Sequence, residues 1–249
     1  MKKSMQNWEN FFGHEKGTVV GRYRFNYDKD KQMMLPVKSL GADVPFLIAC
    51  VNSLGKMGLL NWAMGDIGPA VKQHLEQKNI KDPKIITTAT KGIQISQKFA
   101  DLLNTDFITL VKENKIYLDK PVEIEGSSIT SGKGKYYIEK DQLKSLEGKQ
   151  IIFPDDIYSS GATAEIIMQI CKMVGAEIAC GAFIAKEDPF QHENSVDLAV
   201  YKSPRLTTWA GGNKDKGSKF QCFASARLPL VDKNIIESDL FVPGKEFIR

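Results

Sequence analysis

Apolar positions along this chain follow two different periods. From about Asp66 onward, short β-branched runs alternate with stretches whose apolar side chains recur three or four residues apart. "DIGPAVKQHLEQKN" predicts a helix with Asp66 as its cap, Pro69 in the first turn, and Val71 and Leu75 on one face. "KIITT" predicts a strand, followed by the loop "ATKG" and the helical "IQISQKFADLLN". "FITLV" (Phe107 to Val111) is the next strand. After a polar stretch, "KQIIFP" is another, and Ile166, Ile167, Ile170 and Val174 give the following helix an apolar face. Gly175 stands where that helix should stop. "IACGAFIA" (Ile178 to Ala185) closes a second strand–helix–strand unit. The repetition predicts an α/β fold: a parallel sheet flanked by helices, with ligands at the carboxyl ends of its strands.

The first sixty or so residues alternate differently. "TVVGRYRFNY" and "MMLPVKSL" predict strands around the turn "DKDKQ", and "VPFLIACVN" predicts a third. The tail after Asn194 again reads as short strands with loops, among them the mobile-looking "GGNKDKGSK". The expected organisation is a β-rich extension over residues 1–60, a core over 61–230 and a tail over 231–249.

Composition narrows the class. At 249 residues, 42% hydrophobic and 26% charged, the chain is long enough for a sizeable core and ordinary for a globular protein. No apolar run approaches the ~20 residues of a membrane span. The opening "MKKSMQNWENFFGHEKG" lacks the pattern of a signal peptide, so a cytoplasmic protein without a membrane partner is expected. Cys50, Cys171, Cys180 and Cys222 form no C-x-x-C pair, and His14, His74 and His192 have no metal-ligand spacing. A net charge of +4 suits an anionic small molecule and is too diffuse to argue for nucleic acid.

Three phosphate-binding patterns compete. "GSSITSGKG" approaches the Walker pattern, but five residues separate Gly126 from Gly132, and Gly134 occupies the Ser/Thr position. No G-x-G-x-x-G follows a predicted strand. The third candidate is "KQIIFPDDIYSSGATAEIIMQICKMVGAE", where an apolar run meets two aspartates and a small polar loop opens a helix. Small residues let consecutive N–H groups and the hydroxyls of Ser159, Ser160 and Thr163 converge on one anion, and the helix adds its positive end. Asp155 and Asp156, adjacent in extended backbone, point opposite ways. One carboxylate then suits sugar hydroxyls while the other supports the loop or a developing positive charge. The plainer alternative is a solvated turn with a helix cap.

"IIFPDDIYSSGATA" resembles the phosphoribosyl pyrophosphate (PRPP) motif of type I phosphoribosyltransferases: four apolar residues, two acids, two variable residues, and a Ser/Thr-Gly-Gly/Ala-Thr loop. The resemblance implies that Asp155 and Asp156 hold the ribose hydroxyls. It implies that Ser159, Ser160, Gly161, Ala162 and Thr163 hold the 5-phosphate. Pro154 departs from the family's aliphatic residue and removes a ladder donor, so a local irregularity is expected there. "ITTATKGIQIS" is similar to the family's pyrophosphate loop, which implies pyrophosphate contacts from Thr90 and Lys91. "VKENK" is similar to the basic segment of the adenine and xanthine members and implies further contacts from Lys112 and Lys115.

"EGSSITSGKGKYYIEKDQL" resembles the loop and hairpin that close over the family's site. Its Ser and Gly content offers no apolar anchor, so Ser127 to Lys135 is expected to be open and mobile, with Lys133 and Lys135 recruited by phosphate. Lys133 is thus a catalytic candidate beside Asp155 and Asp156. Adenine-type members carry a glutamate where Thr130 stands, whereas Ser128 to Gly132 fits the xanthine-type Ser-x-Thr-x-Gly. "FIAKEDPFQ" resembles the xanthine-type "IEKSFQ" with two extra residues, implying that Lys186 donates to a 6-oxo group and Phe190 stacks on the base.

The resemblance covers roughly residues 60 to 230 and implies the type I phosphoribosyltransferase fold, with a small β-rich hood or dimer contact from the terminal segments. The implied activity is transfer of the phosphoribosyl group from PRPP, as its magnesium (Mg2+) complex, to a purine base, with 6-oxopurines favoured, in a homodimer. Two other readings stand beside it. One is a non-catalytic PRPP sensor controlling a partner; the other is a transferase for orotate or another non-purine base.

Overall fold

The computed structural model describes residues 8–28, 31–44, 46–128, 132–188, 206–211 and 220–247. In chain order the first strands are β1 (Val19–Asp28), β2 (Lys31–Ser39) and β3 (Leu47–Ala49). There follow α1 (Met57–Gln77), β4 (Lys84–Thr88), α2 (Gly92–Leu103) and β5 (Phe107–Leu110). A hairpin of β6 (Pro121–Ser128) and β7 (Gly132–Glu139) leads to α3 (Lys140–Lys144). The motif lies on β8 (Gln150–Tyr158) and α4 (Ala162–Val174), after which come β9 (Glu177–Asp188), β10 (Thr207–Gly211), β11 (Phe220–Val231) and β12 (Phe241–Pro243).

The chain divides into two compact units. The first gathers Met1–Asn52, Glu187–Arg205 and Ala226–Arg249, so both terminal segments belong to one body. Its strands run in the order β12–β1–β2–β3, antiparallel throughout, and Leu230 and Val231 of β11 pair with Ile48 and Leu47. One face of this sheet buries Val20, Tyr23, Phe25, Leu35 and Val37, and Phe11 meets Phe241 edge-on at 5.2 Å.

The second unit, Ser53–Lys186 with Leu206–Ser225, holds the predicted α/β core. Its strands follow the order β11–β9–β8–β4–β5, with β10 antiparallel on β11. Strands β9, β8, β4 and β5 are parallel. Helix α4 seats Ile166, Ile167 and Ile170 in a core with Ile86, Ile151, Phe153 and Phe183. Helix α2 buries Ile95 and Phe99, and it begins against Thr87. Its end at Asn104 is left-handed (φ 51°), and Gly175 ends α4 in the same way (φ 64°).

Three expectations are corrected. Helix α1 begins at Met57, so Asp66 is not its cap and Pro69 lies in its interior. Leu59, Ala63, Ile67, Val71 and Leu75 form one buried stripe at four-residue steps. Burying that stripe outweighs the ~3 kcal/mol that an interior proline costs, while Gly58, Gly65, Gly68 and Pro69 obscure it in the sequence. Second, the strand expected to end at Pro154 continues through both aspartates to Tyr158. The irregularity expected at Pro154 appears on the β4 side only: β4 pairs with Ile151 and Ile152, and the Thr87 hydroxyl then donates to the Pro154 carbonyl at 2.8 Å. The β9 side pairs straight through Pro154, with its register shift earlier, at Ile151/Ile152.

Third, the segment expected to be an unanchored loop is largely a paired hairpin. β6 and β7 pair from Pro121↔Glu139 to Ser128↔Gly132. Ile124, Tyr136 and Ile138 are buried in the α4 core, and a Cβ at Gly126 would stand 2.5 Å from Ile166. These anchors flank Ser127 to Lys135, which itself contributes backbone pairing, Ser127 with Lys133 and Ser128 with Gly132. Residues 129–131, including Thr130, lie outside the described residues. So does the "GGNKDKGSK" stretch after Gly211.

Candidate functional site

The carboxyl ends of four neighbouring parallel strands bring most of the expected residues to one edge of the sheet. Thr88 of β4 is level with Leu110 of β5, and Tyr158 of β8 is level with Lys186 of β9. Lys112 therefore follows β5, Thr90 and Lys91 follow β4, Asp155 and Asp156 lie near the carboxyl end of β8, and Lys186 lies near that of β9. Lys112, Thr90 and Lys91 are exposed. The Ala89–Thr90 peptide is cis.

Both aspartates are buried, at 8% and 6% exposure. Asp155 Oδ1 accepts from the Asp156 N–H at 2.8 Å, and Asp156 Oδ1 accepts from the Ile157 N–H at 2.9 Å. Lys91 Nζ donates to Asp156 Oδ2 at 2.8 Å. The lysine expected to hold pyrophosphate is thus held here by an aspartate expected to hold ribose. Burial, and then repulsion from Asp156, push the Asp155 carboxyl well above its ordinary value of 3.8. Gly92 makes this packing possible: a Cβ there would overlap the Thr87 hydroxyl and stand 3.0 Å from Asp155 Oδ1.

The loop after β8 is built for an anion. Gly161 adopts φ +83°, and Tyr158 Oη lies 2.9 Å from where its Cβ would be, so only glycine fits without strain. Helix α4 opens immediately, its first bond running from the Glu165 N–H to the Gly161 carbonyl at 3.0 Å. The Ser160 hydroxyl accepts from the Ala162 N–H at 3.3 Å, bending the loop over the helix end. Ser159, Gly161, Ala162 and Thr163 are partly exposed, as a phosphate cradle requires. Among the described residues no group of three or more His, Cys, Asp or Glu could hold a metal ion. Two carboxylates stand at this edge, and one or two carboxylates beside substrate phosphates are the usual protein share of a magnesium site.

Two aromatic residues absent from the sequence reading complete the neighbourhood. Lys186 Nζ lies 5.2 Å from the centroid of the Trp209 ring. Trp209 stacks edge-on with Tyr158 at 5.3 Å, and Tyr158 with Phe183 at 5.1 Å. Trp209 Nε1 is buried with no hydrogen-bond partner among the described residues. Phe190 lies outside the described residues, as does the Lys133 side chain; the Lys133 backbone pairs with Ser127. Lys135, expected to be available to phosphate, is paired with Glu123 at 2.7 Å, and Lys115 is paired with Glu113.

No protein-family model matches the chain. The probable purine biosynthesis transcriptional regulator PurR of Streptococcus pneumoniae is 27% identical over 143 residues, spanning 54% of this chain and 50% of that protein. The hypoxanthine/guanine phosphoribosyltransferase of Methanothrix thermoacetophila is 35% identical over 96 residues, 38% of this chain and 47% of that protein. The chain spans about half the length of the curated relatives it matches. Among solved structures, the Saccharomyces cerevisiae adenine phosphoribosyltransferase aligns with TM-score 0.45 and 17% identity, over 68% of this chain and 84% of that one. The Giardia lamblia enzyme, complexed with 9-deazaadenine, gives TM-score 0.45 and 17% identity over 66% and 81%. No helix among the described residues is long and apolar enough to cross a membrane. In sequence, then, the chain is similar both to a purine phosphoribosyltransferase and to a purine-pathway regulator.

Proposed function

We propose that this protein is a type I phosphoribosyltransferase acting on PRPP and a purine base. One observation carries the reading: two buried aspartates lie near the carboxyl end of a parallel strand, a short loop then reaches a left-handed glycine and a helix amino terminus, and Lys91 pairs with Asp156 from the neighbouring strand–helix loop. That arrangement suits a sugar bearing phosphates on two sides.

In this reading the amides and hydroxyls of Ser159 to Thr163 bind the 5-phosphate. Asp155 and Asp156 accept from the ribose hydroxyls, and Thr90, Lys91 and Lys112 bind the pyrophosphate. Magnesium, arriving with PRPP, would neutralise pyrophosphate charge. The bond from the anomeric carbon to pyrophosphate breaks with its electron pair passing to the leaving oxygen. The lone pair of a base ring nitrogen forms the new bond, and that nitrogen gives up its proton to water. The aspartates stabilise the positive charge that develops on the sugar, and the lysines the negative charge that leaves. Lys186 supports a 6-oxopurine, Phe190 stacks on the base, and Trp209, beside Lys186, offers a further stacking surface. Homodimer formation and a cytoplasmic setting belong to the same proposal.

The test is pyrophosphate release from PRPP and magnesium with adenine, hypoxanthine, guanine, xanthine and orotate in turn. Turnover with a 6-oxopurine above that with adenine and orotate is expected. A second reading, a PRPP-binding regulator without turnover, is favoured by the similarity to a regulator over 54% of the chain. PRPP binding by calorimetry, with no base supporting turnover, selects it.

A further inference from the structure

The terminal unit presents a sheet face that the proposed reaction does not use. Register across β12, β1 and β2 sets each of three cations directly opposite an exposed apolar side chain. Arg24 is opposite Met34, Arg22 is opposite Val242, and Lys38 is opposite Val19. These apolar partners are 37%, 37% and 38% exposed, while the alternate positions of the same strands are buried. A solvated sheet face is normally kept wet by opposite charges set across its strands. Here none of the three cations makes an ion pair among the described residues. No position on this face between Val19 and Asn26, or between Gln32 and Lys38, is acidic.

We propose that this face docks an acidic protein segment in which carboxylates alternate with aliphatic side chains. Charge complementarity and spacing carry the choice. Arg22 and Arg24 are two residues apart, ~6.8 Å along a strand, and each apolar partner is ~5 Å across. The cations of β1 repeat at strand spacing, and an extended segment alternating Glu with Val turns all its carboxylates to one face at that same ~6.8 Å repeat, over Arg22 and Arg24. A second copy of the chain would bring cations against cations. A nucleic acid would satisfy the cations but leave the aliphatics against a hydrated backbone, with no aromatic on the face to stack a base. A lipid surface is recognised through Trp, Phe and Leu side chains that insert, and this flat face carries none of them.

The experiment uses the full chain and a fluorescein-labelled peptide of about ten residues, the upper length of a natural strand, in which Glu and Val alternate. Anisotropy should show saturable binding to the parent protein. R24E/K38E should weaken it at least about tenfold, because attraction becomes repulsion, and R24Q/K38Q should fall between. A peptide alternating Lys and Val should ignore the parent and bind R24E/K38E. Circular dichroism confirms that each variant is folded, and the neutral variant decides the matter should the reversed one unfold. Absence of saturable binding, or equal affinity for the parent and both variants, overturns the proposal. So does reversal-sensitive binding of duplex DNA or phosphatidylserine vesicles in place of the peptide.

Discussion

Replacing Gly92 by alanine tests whether close packing at the start of α2 holds Asp155 in place. Two effects oppose each other. Alanine favours a helical backbone over glycine by up to ~1 kcal/mol, and no left-handed φ is required at this position. Against that, the new methyl would overlap Thr87 Oγ1 and sit 3.0 Å from Asp155 Oδ1 and 3.4 Å from the Pro154 carbonyl. Overpacking of this kind costs ~1–3 kcal/mol. Displacing the Thr87 hydroxyl also breaks its 2.8 Å bond to Pro154, for ~1 kcal/mol more. The steric side wins by ~1–3 kcal/mol, a fall in melting temperature of roughly 3–9 °C for a chain of this size. PRPP affinity measured by calorimetry should fall at least about tenfold, since Asp155 is the group pushed aside. The double variant T87A/G92A removes the overlapping oxygen. It should be more stable than the sum of the single changes by ~1–2 kcal/mol, the coupling expected of neighbours in contact. A G92A protein that melts within about a degree of the parent, or a strictly additive double variant, would refute the packing argument.

Other outcomes follow from the same geometry. The Asp155 carboxyl has its pKa raised on folding, so the folded state holds that proton more tightly, and ionising it lowers stability as pH climbs from 3.8 through the raised value. D155N should therefore melt higher than the parent at neutral pH and lose that advantage below 3.8, while failing to bind PRPP; a pH series of melts checks the sign. K91A frees Asp156 but removes a pyrophosphate ligand, so PRPP affinity by calorimetry should fall by about tenfold or more, the worth of a charge-assisted contact. K186A and W209L should each reduce kcat/KM for hypoxanthine by at least about tenfold while leaving PRPP affinity unchanged; equal loss of PRPP affinity would place them elsewhere in the site. K133A/K135A should lower kcat by ~10²-fold, as removed electrostatic stabilisers do, with much less effect on PRPP affinity; unchanged turnover would make the hairpin tip ordinary surface.

The α/β core was legible because its signals are local and redundant. "KIITT" is β4 residue for residue, and Gly175 ends α4 as its position predicts. The phosphate loop was legible for the same reason: small residues, two acids and a helix start lie within ten positions of one another. What was not legible depends on partners distant in sequence. α1 was shortened because its glycines and proline are local evidence against a helix, whereas the burial that overrides them is tertiary. The anchoring of β6–β7 depends on Ile166, some forty residues beyond Gly126. Trp209 meets Lys186 only because β10 pairs with β11, and β11 neighbours β9. The available signal was modest: an aromatic residue in a short β-branched run, "TTWAG", in a tail read simply as strands.

The Lys91–Asp156 pair shows why the residues of such a site are better read as a circuit than as a roster. With Lys91 on Oδ2 and the Ile157 amide on Oδ1, both oxygens of Asp156 are engaged before any ligand arrives. Each oxygen keeps a second lone pair, so in the proposed reading a ribose hydroxyl would share Oδ2 with the lysine or displace it, and a pyrophosphate is what would draw the lysine away. On that proposal the two ends of PRPP would be coupled: filling the pyrophosphate position would open more of the acceptor to the sugar. Lys91 is 44% exposed but Asp156 only 9%, so the exchange is inexpensive only where sugar hydroxyls replace the lysine at the buried carboxylate. Pyrophosphate alone, or ribose 5-phosphate alone, completes only half of it. Such coupling favours the intact donor over its fragments, which serves an enzyme that must release its products and a regulator that must report PRPP rather than phosphate. The difference between those two therefore lies beyond this pair, in whether a base can be held beside Lys186 and Trp209 and turned over.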